Sequence, residues 1–529
     1  MSLRLSATRS TRAFPIAIIA AGALAAGTLA ACGSGGSSAP QGGGIVAATA
    51  FPATAFAFAS LDTDPADGEK GQLIGTLLKF PAIARTVKIT PGSDLRQTLI
   101  TEALKHDTSN KCKLSWDTDF KPWLGTVIGV AGVVENGSPQ PVGAIQVTDA
   151  AKATAEYTKL VGCAGKPPFG IQITDKWVYI AKTPAITADV IAQTKSGTLA
   201  DDASFKTWTA KAGGGGFATA YAAPSVGDVL GKVFDSLKSS NNPFAQGFQQ
   251  GLAQSDSNNP FGSICPATAG AAGLTAEMKT VLKTFQGAAV NVRARNGGVE
   301  VEGALGMTST FGTASWSANS DLGNLPADTA AAVSVGLPPN LWDQIMTTFS
   351  KFCGPGFNRP KLEATIAKAT GMSVPGDLNA LLGKGLTLAL GGGVDVTSIH
   401  GPSDLPAALL LNGDPGQVQG IVTKLLGNLP PSFGFSATTQ GNDVIVSANP
   451  AYAGKVTSGG LGSNDAFRDV IPNAAGSQFA VYVNFDQLAA SFSKIPQKIA
   501  ENLTPLKALG LSEQVNGDQA HFFLRISTN

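Results

Sequence analysis

The densest group of possible metal ligands in the sequence is an acidic segment near the N-terminus. It carries four acids and a glycine, namely Asp62, Asp64, Asp67, Gly68 and Glu69. A calcium loop needs oxygen ligands at alternate positions and a glycine directly after the third ligand. Here the third acid comes one residue late, and Pro65 interrupts the spacing. We therefore predict a solvated loop that binds no metal.

A second motif that could support catalysis is Ser491-Phe492-Ser493-Lys494, in which the lysine could activate the first serine. Serine enzymes that recognise penicillin follow such an SxxK motif with SxN and KTG motifs. The nearest equivalents here, Ser240-Asn241-Asn242 and Lys195-Ser196-Gly197, both precede the SxxK motif. Because the order is reversed, we expect no serine nucleophile.

Histidines add little further chemistry. The chain has only three, His106, His400 and His521, and none has metal-site spacing or accompanies a GxSxG serine. We expect them on the surface or within a strand. The sequence therefore predicts a protein that is not an enzyme, with no catalytic residues, no cofactor and no metal.

Cys32 has the clearest predicted chemistry. It follows Leu29-Ala30-Ala31, which ends an uncharged run that begins at Phe14 after three arginines, Arg4, Arg9 and Arg12. A basic leader, an apolar run and small residues before the cut are typical of a secretory signal peptide. Leu-Ala-Ala-Cys resembles the bacterial lipobox, so we predict a lipoprotein signal peptide over residues 1–31. Cys32 would then carry a diacylglyceryl group, with palmitate or a similar acyl chain on its amino group. An uncleaved transmembrane helix is the alternative.

The segment after Cys32 and the overall charge agree with export. Residues 32–44 continue in Gly, Ser, Ala, Pro and Gln, which predicts a flexible tether. Lys and Arg number 38 and Asp and Glu 37, so no basic surplus is available for nucleic acid. We expect an extracytoplasmic protein held at the cell membrane by the lipid on Cys32. An envelope protein, a glycan and a lipid remain open as further partners.

Four cysteines remain if Cys32 is lipidated: Cys112, Cys163, Cys265 and Cys353. An even number in an oxidising compartment indicates two disulfides, and four cysteines allow three pairings. We favour Cys112–Cys163, because both lie in one predicted domain, and Cys265–Cys353 as the remaining pair. Metal binding is the alternative, but no CxxC spacing or neighbouring histidine supports it.

Apolar periodicity predicts helices alternating with strands. Large and small residues alternate over Phe51–Phe58, which predicts a strand, and 71–79 and 95–104 have helical patterns. Asp149 stands where it can cap a helix over 150–161. Asn296-Gly297-Gly298 predicts a hairpin turn between strands 288–294 and 299–305.

The order of elements recurs after Ser320. Leu325-Pro326-Ala327 resembles Phe51-Pro52-Ala53, and Asp414 precedes a second predicted helix as Asp149 does the first. We therefore predict an internal repeat, with a first repeat over 45–310, interrupted by a polar insert at 239–273, and a second over 321–529. The predicted fold class is α+β, with two tandem related domains, each a largely antiparallel sheet with helices packed on one face.

Three segments resemble a known bacterial family, domain of unknown function 3352 (DUF3352). They are the strand beginning Pro52-Ala53, the turn Lys121-Pro122-Trp123-Leu124-Gly125, and Val142–Asp149 before a helix. The resemblance covers most of the chain from Phe51 onward and is best in the first half. The second half has Leu381-Leu382 where the Trp-Leu pair would stand. The resemblance implies an exported or membrane-anchored protein of no established activity, and it implies no site residues.

These observations favour a cell-envelope lipoprotein whose specific role is unknown and which acts as a non-enzymatic binding or scaffold protein outside the membrane. One alternative is a carrier of an apolar or lipid ligand, which requires an aliphatic pocket larger than about 300 Å³. The other is a hydrolase of envelope polymers. It requires paired carboxylates, or a serine beside a lysine or histidine, in a cleft.

The lipid anchor predicts a sharp effect of one substitution. A Cys32→Ser variant has no thiol to acylate, so it should lose incorporation of labelled palmitate and leave the membrane fraction. Fractionation with a palmitate label measures both effects, and Cys163→Ser is the control that keeps both. Membrane retention and labelling equal to the wild type would contradict the prediction.

Overall fold

A computed structural model describes residues 43–65, 68–86, 89–90, 92–106, 112–165, 167–239, 280, 282–307, 316–318, 321–353, 357–394, 398–492 and 495–529. Several predicted features lie outside these residues: the signal peptide, Cys32, the tether to residue 42, Cys265, and the insert from 240 to 273, which contains the SxN motif. The last two residues of the SxxK motif, Ser493 and Lys494, lie outside them as well.

Sixteen strands form a single open sheet. The strands are β1 Ala57–Asp62, β2 Leu124–Glu135, β3 Ser138–Val147, β4 Gly170–Ile173, β5 Trp177–Ala181, β6 Ala218–Ala222, β7 Gly287–Arg295, β8 Gly298–Gly306, β9 Thr329–Gly336, β10 Gly385–Gly391, β11 Ala407–Asn412, β12 Ser436–Gln440, β13 Asp443–Ser447, β14 Phe479–Asn484, β15 Leu506–Asn516 and β16 Gln519–Thr528. Every neighbouring pair is antiparallel.

The strand order repeats about the centre of the sheet. From the centre outward the first half runs β8-β7-β6-β1-β2-β3-β5-β4, and the second runs β16-β15-β14-β9-β10-β11-β13-β12. Each strand of the first half therefore has a counterpart at the same distance from the centre. The halves meet where β8 pairs with β16, from Gly298↔Ser527 to Gly306↔Gln519. We call this junction the seam.

Sixteen α-helices connect the strands in the described part of the chain. They are α1 Gly43–Val46, α2 Glu69–Leu78, α3 Pro81–Thr86, α4 Leu95–His106, α5 Ala150–Ala164, α6 Pro184–Thr194, α7 Ala203–Lys211, α8 Val226–Ser239, α9 Leu341–Cys353, α10 Arg359–Thr370, α11 Gly376–Leu382, α12 Pro415–Gly427, α13 Pro450–Lys455, α14 Asp465–Val470, α15 Phe485–Phe492 and α16 Gln497–Leu503. Mixed helices and antiparallel strands confirm the predicted α+β class.

One face of the sheet carries the main cores, and we call it the first face. In the first half Phe205 on α7 packs edge-on against Tyr221 on β6, with ring centroids 5.1 Å apart. In the second half Phe467 on α14 packs in the same way against Tyr482 on β14, also at 5.1 Å. All four rings are buried. The two halves thus use the same aromatic contact to hold a helix on the sheet.

The opposite, second face is covered mainly at its outer ends. There Ala153 of α5 packs on Val178, and Val418 and Val422 of α12 pack on Val444. Nearer the centre, aliphatic side chains of this face are exposed, including Val333 at 40% and Leu388 at 55%. Helices therefore lie on both faces, although the larger cores lie on one.

Helix starts follow the sequence closely. Asp149 accepts a hydrogen bond from the backbone N–H of Lys152 and begins α5, as predicted. Asp414 does the same for α12 through the N–H of Gln417. Such a cap satisfies a backbone donor that has no partner inside the helix.

Two local predictions were wrong. The strand predicted over Phe51–Phe58 begins only at Ala57, and Ala47–Ala50 before it form a 3₁₀ turn. Those alanines and Phe51 are buried in the core on one face of the sheet. Their apolar pattern therefore reflects packing against that face and not a position within a strand. Asp62 was expected in a solvated loop, but it ends β1 and is buried, accepting the N–H of Asp64 at 2.9 Å. Burial raises the pKa of Asp62.

The repeated aromatic contact predicts a large stability effect. A Phe467→Ala substitution leaves a cavity beside Tyr482 and should lower the free energy of unfolding by about 3–5 kcal/mol. Phe433→Ala is the control, because this ring is 42% exposed, and it should cost about 1 kcal/mol or less. Urea unfolding followed by circular dichroism measures both. Equal losses would show that Phe467 does not anchor α14.

Candidate functional site

Five charged or ionisable side chains meet on the first face at the seam. Arg293 lies on β7, Glu300 and Glu302 on β8, and His521 and Arg525 on β16. Strand register places Arg293 opposite Glu300, and Glu300 opposite Arg525. All five are buried, with at most 9% of each residue exposed. We call them the seam cluster.

Arg293 binds both carboxylates of the seam cluster. Its Nη1 donates to Glu300 Oε1 and to Glu302 Oε2, each at 2.8 Å, and its Nη2 donates to the Ala212 carbonyl at 2.7 Å. Burial opposes the charge of Arg293, but the two carboxylates outweigh it and raise its pKa. The guanidinium therefore stays charged and holds two acids that would otherwise repel each other.

Arg525 completes the charge balance from the second half. Its Nη1 lies 3.5 Å from Glu300 Oε2, and its Nη2 lies 3.1 Å from Asp469 Oδ1. The same Nη2 donates to the Arg295 carbonyl at 3.1 Å. Burying charges is costly unless they are paired, and here arginines face carboxylates across the seam.

His521 adds a neutral donor to this arrangement. Its Nε2 lies 2.7 Å from Glu302 Oε1. Burial lowers the pKa of His521 to about 3, so the imidazole is neutral at pH 7 and its Nε2–H donates to the carboxylate. Burial also raises the pKa of Glu302, against the opposing influence of Arg293. Glu302 is therefore held between a charged and a neutral donor.

A small cleft of about 150 Å³ opens beside the seam cluster. Its lining combines seam and neighbouring residues: Glu302, Pro472, Asn473, Ser512, Gln514, His521 and Phe523. On the other side the cluster is closed by Gly213, at φ +77°, where a Cβ would overlap the Glu302 carboxylate and the Arg293 guanidinium. Only a residue without a side chain fits there.

The residues around the seam cleft fit a structural role better than a hydrolytic active site. Close, desolvated carboxylates beside a histidine and a serine are the set that a hydrolase needs. However, both carboxylates already bind Arg293, and the volume is about half of the roughly 300 Å³ at which small-molecule sites begin. The cleft can hold a few water molecules, so we assign the cluster to fixing the register of β8 on β16.

A larger cleft of about 350 Å³ lies in the second half on the first face. We call it the amide cleft. Its lining is mainly polar side chains over an aliphatic base, and consists of Asn324, Leu325, Leu410, Asn412, Gln440, Gly441, Asn442, Asp443, Val456 and Thr457. The polar residues come from the 3₁₀ turn before β9, the ends of β11 and β12, the turn between β12 and β13, the start of β13 and the residues after α13.

Hydrogen bonds within the wall fix several of these side chains. Asn412 Nδ2 donates to Asp443 Oδ1 at 3.1 Å, across a directly paired position of β11 and β13. Gln440 Nε2 donates to the Ala453 carbonyl at 3.2 Å, and Gln440 Oε1 accepts from the Thr457 hydroxyl. The side chains of the wall are therefore bonded to one another and to the backbone.

The first half fills the equivalent position. There β5 begins with Trp177 opposite Gln146, where β13 begins with Asp443 opposite Asn412. Trp177 is 5% exposed and belongs to the core cluster that includes Phe51. Replacing a buried indole with a carboxylate removes most of the side-chain volume at this point. The amide cleft is thus the unfilled counterpart of a packed region in the first half.

The predicted cysteines are only partly located. A disulfide joins Cys112 to Cys163, the pairing favoured from the sequence, with Cα atoms 5.5 Å apart. Cys353 ends α9, and Cys265 lies outside the described residues, so their pairing stays a prediction. Lipidation of Cys32 stays a prediction for the same reason. Among the described residues that line the two clefts there is no cysteine.

The histidines have different positions. His106 ends α4 and His400 lies in an exposed loop, whereas His521 is buried in the seam. We expected a surface or strand position, and the sequence did not indicate that a strand histidine would meet a carboxylate. The sequence did contain a sign of the charged cluster, because Arg293, Glu300 and Glu302 occupy positions on one face of the predicted hairpin.

Comparison with family models, with curated proteins and with solved structures finds no match for this chain. The resemblance to DUF3352 therefore stays a prediction. Among the helices that the structure describes, none combines the length and apolar character needed to cross a bilayer. Within the same residues, no three His, Cys, Asp or Glu side chains are grouped to hold a metal.

The burial of His521 predicts a pH-dependent stability. Folded His521 has a pKa of about 3, whereas the unfolded residue takes up a proton near pH 6.5. The unfolded state then binds more protons, so the free energy of unfolding falls as pH falls from 6.5 towards 3. The slope is up to about 1.4 kcal/mol per pH unit. Urea unfolding between pH 7 and pH 4 measures it.

His521→Gln isolates this effect, because it keeps an N–H donor for Glu302 and cannot titrate. Other groups, including Glu302 with its raised pKa, contribute to the wild-type profile, so the difference between the two proteins is the informative quantity. The variant should lose the added slope, whereas His400→Gln in an exposed loop should keep it. Identical profiles for wild type and His521→Gln would refute the assignment.

Proposed function

We propose that this chain is a lipid-anchored, extracytoplasmic binding protein of the cell envelope that performs no chemistry. In this proposal the second half binds a small ligand in the amide cleft, and the first half serves as a packed structural partner. The lipid on Cys32 would hold the protein to the membrane.

The proposal rests on one difference between the two halves: a position packed by a large side chain in the first half borders an open cleft in the second. Corresponding strands begin with buried Trp177 in the first half and with Asp443 at the amide cleft in the second. A cleft left open within a repeat, with polar groups over an aliphatic base, has the general composition of a small-molecule site. Its volume of about 350 Å³ lies within the usual range.

The Cys112–Cys163 disulfide supports the extracytoplasmic part of the proposal. Disulfides persist in oxidising compartments and are rare where thiols are kept reduced. The signal peptide and lipobox predicted from the sequence agree with it. Together they support an extracytoplasmic location, in which envelope components would be the available ligands.

A second candidate function is the carriage of an apolar ligand, and one observation favours it. The second face exposes aliphatic side chains on adjacent strands, with Val333 of β9 directly paired to Leu388 of β10. However, most of the residues that line the two clefts described above are polar rather than aliphatic. We therefore rank carriage below binding in the amide cleft.

Native mass spectrometry of the mature protein tests the proposal. Wild type is incubated with an enzymatic digest of bacterial cell envelope, separated from unbound material, and measured. We expect an adduct below about 1 kDa on the wild type. The adduct should be lost in Asp443→Trp, which introduces the indole of the first half into the cleft. Gln172→Ala, an exposed amide on β4 of the first half, is the matched control and should keep the adduct.

Two outcomes would overturn the proposal. If Asp443→Trp still carries the adduct, the ligand binds outside the amide cleft. If that retained adduct is a long-chain lipid, the result would favour the carrier of an apolar ligand. If incubation with wild type shortens the envelope fragments in the digest over time, the result would favour the hydrolase alternative. Circular dichroism confirms that Asp443→Trp is folded, and Asn412→Ala replaces it if it is not.

A further inference from the structure

We infer that the amide cleft recognises a neutral, hydroxyl-rich ligand, namely a single sugar unit such as a hexose or an N-acetylhexosamine of an envelope glycan. This inference deepens the proposed function and rests on it. It follows from which polar groups line the cleft, how they are held, and what lies beneath them.

The polar lining matches hydroxyl groups better than charges. Four side-chain amides, one hydroxyl and one carboxylate face this volume, contributed by Asn324, Asn412, Gln440, Asn442, Thr457 and Asp443. No lysine, arginine or histidine is among its lining residues, so a phosphate or carboxylate ligand would have no counter-charge there. An amide both donates and accepts, as a sugar hydroxyl does, and a carboxylate can accept from two neighbouring hydroxyls.

Hydrogen bonds within the wall fix its side chains. The bond from Asn412 to Asp443 joins two cleft residues across paired strands, and Gln440 is held by both Ala453 and Thr457. Side chains that are already ordered lose less conformational entropy on binding. Discrimination between hydroxyl arrangements requires such fixed donors and acceptors, because a mobile amide would accept many geometries.

Buried aliphatic side chains underlie the polar groups of the cleft. Leu325, Leu410 and Val456 lie below the polar groups, and each is at most 2% exposed, so the polar side chains cover almost all of this aliphatic layer. A pyranose ring presents C–H groups on its faces and hydroxyls around its edge. A ring that enters the cleft would bring its hydroxyl edge to the amides, whereas an amino acid would bring a charged ammonium and carboxylate into a site underlain by apolar side chains.

The size and openness of the cleft set the expected affinity. At about 350 Å³ it is near the lower limit for small-molecule sites and is suited to one ring of a longer chain. A ligand of this size with few contacts should bind with a dissociation constant on the order of 1 mM. Binding should therefore be measured by a method that detects weak complexes.

Saturation-transfer NMR on the mature protein provides the test. The probes are glucose, galactose, mannose and N-acetylglucosamine, with glucose 6-phosphate, glycine and glutamate as charged solutes of similar size. At least one neutral sugar should give a signal on wild type, and the charged solutes should give much weaker ones. Asn412→Ala and Thr457→Ala should each weaken sugar binding about tenfold, and Asp443→Trp should abolish it. Gln172→Ala should leave it unchanged.

The outcomes separate this inference from the proposed function. If a charged solute binds more strongly than every sugar and Asp443→Trp abolishes that signal, the cleft is a binding site but the sugar inference is wrong. If the envelope digest gives a cleft-dependent adduct that contains no sugar, the sugar inference fails in the same way. If neither the digest nor any probe gives a signal that depends on Asp443, both are wrong.

Discussion

Without the residue pairs between β8 and β16, this chain would form two eight-stranded sheets, each with an unpaired inner edge. Open edges of that kind invite pairing with other chains, and here each half covers the edge of the other. Buried charges make the junction specific. A shift of two residues along β16 would move Arg525 away from Glu300 and leave charges buried without partners. Breaking a buried pair in that way costs about 3–5 kcal/mol, so the cluster selects one register.

The two halves share an architecture but differ in what fills it. The contact between Phe205 and Tyr221 has a close counterpart in Phe467 and Tyr482, so the packing that holds a helix on the sheet is common to both. The differences lie at the seam and at the outer strands. Gln514 stands on β15 where β7 has Arg293, and Asp443 stands where β5 has Trp177. Both replacements put a smaller side chain in the second half, which holds the amide cleft and supplies all the lining residues of the seam cleft except Glu302.

The local sequence was sufficient to predict much of this fold. Asp149 and Asp414 cap helices because a side-chain oxygen beside a free N–H acts locally, and Asn296-Gly297 forms a hairpin turn for similarly local reasons. Phe51 misled the prediction, because an apolar residue that packs on a sheet has the same alternation as one within it. The pairing of β8 with β16 joins residues more than two hundred positions apart, and no local pattern encodes it. The seam cluster and the amide cleft depend on such long-range pairing, which is why their residues were not grouped from the sequence.

The N-terminal segment and the amide cleft lie far apart along the continuous sheet. The N-terminal segment joins the sheet beside β1 and β6, where Gly44 donates to the Gly216 carbonyl. Nine strand positions separate β1 from β11 at the cleft. At about 4.8 Å per strand this is roughly 45 Å, which exceeds the thickness of the hydrocarbon core of a bilayer. If the protein is anchored by its N-terminus as proposed, one end of the sheet would lie near the lipid headgroups while the other reaches material well beyond them. The width of the sheet would then set how far from the membrane the amide cleft lies.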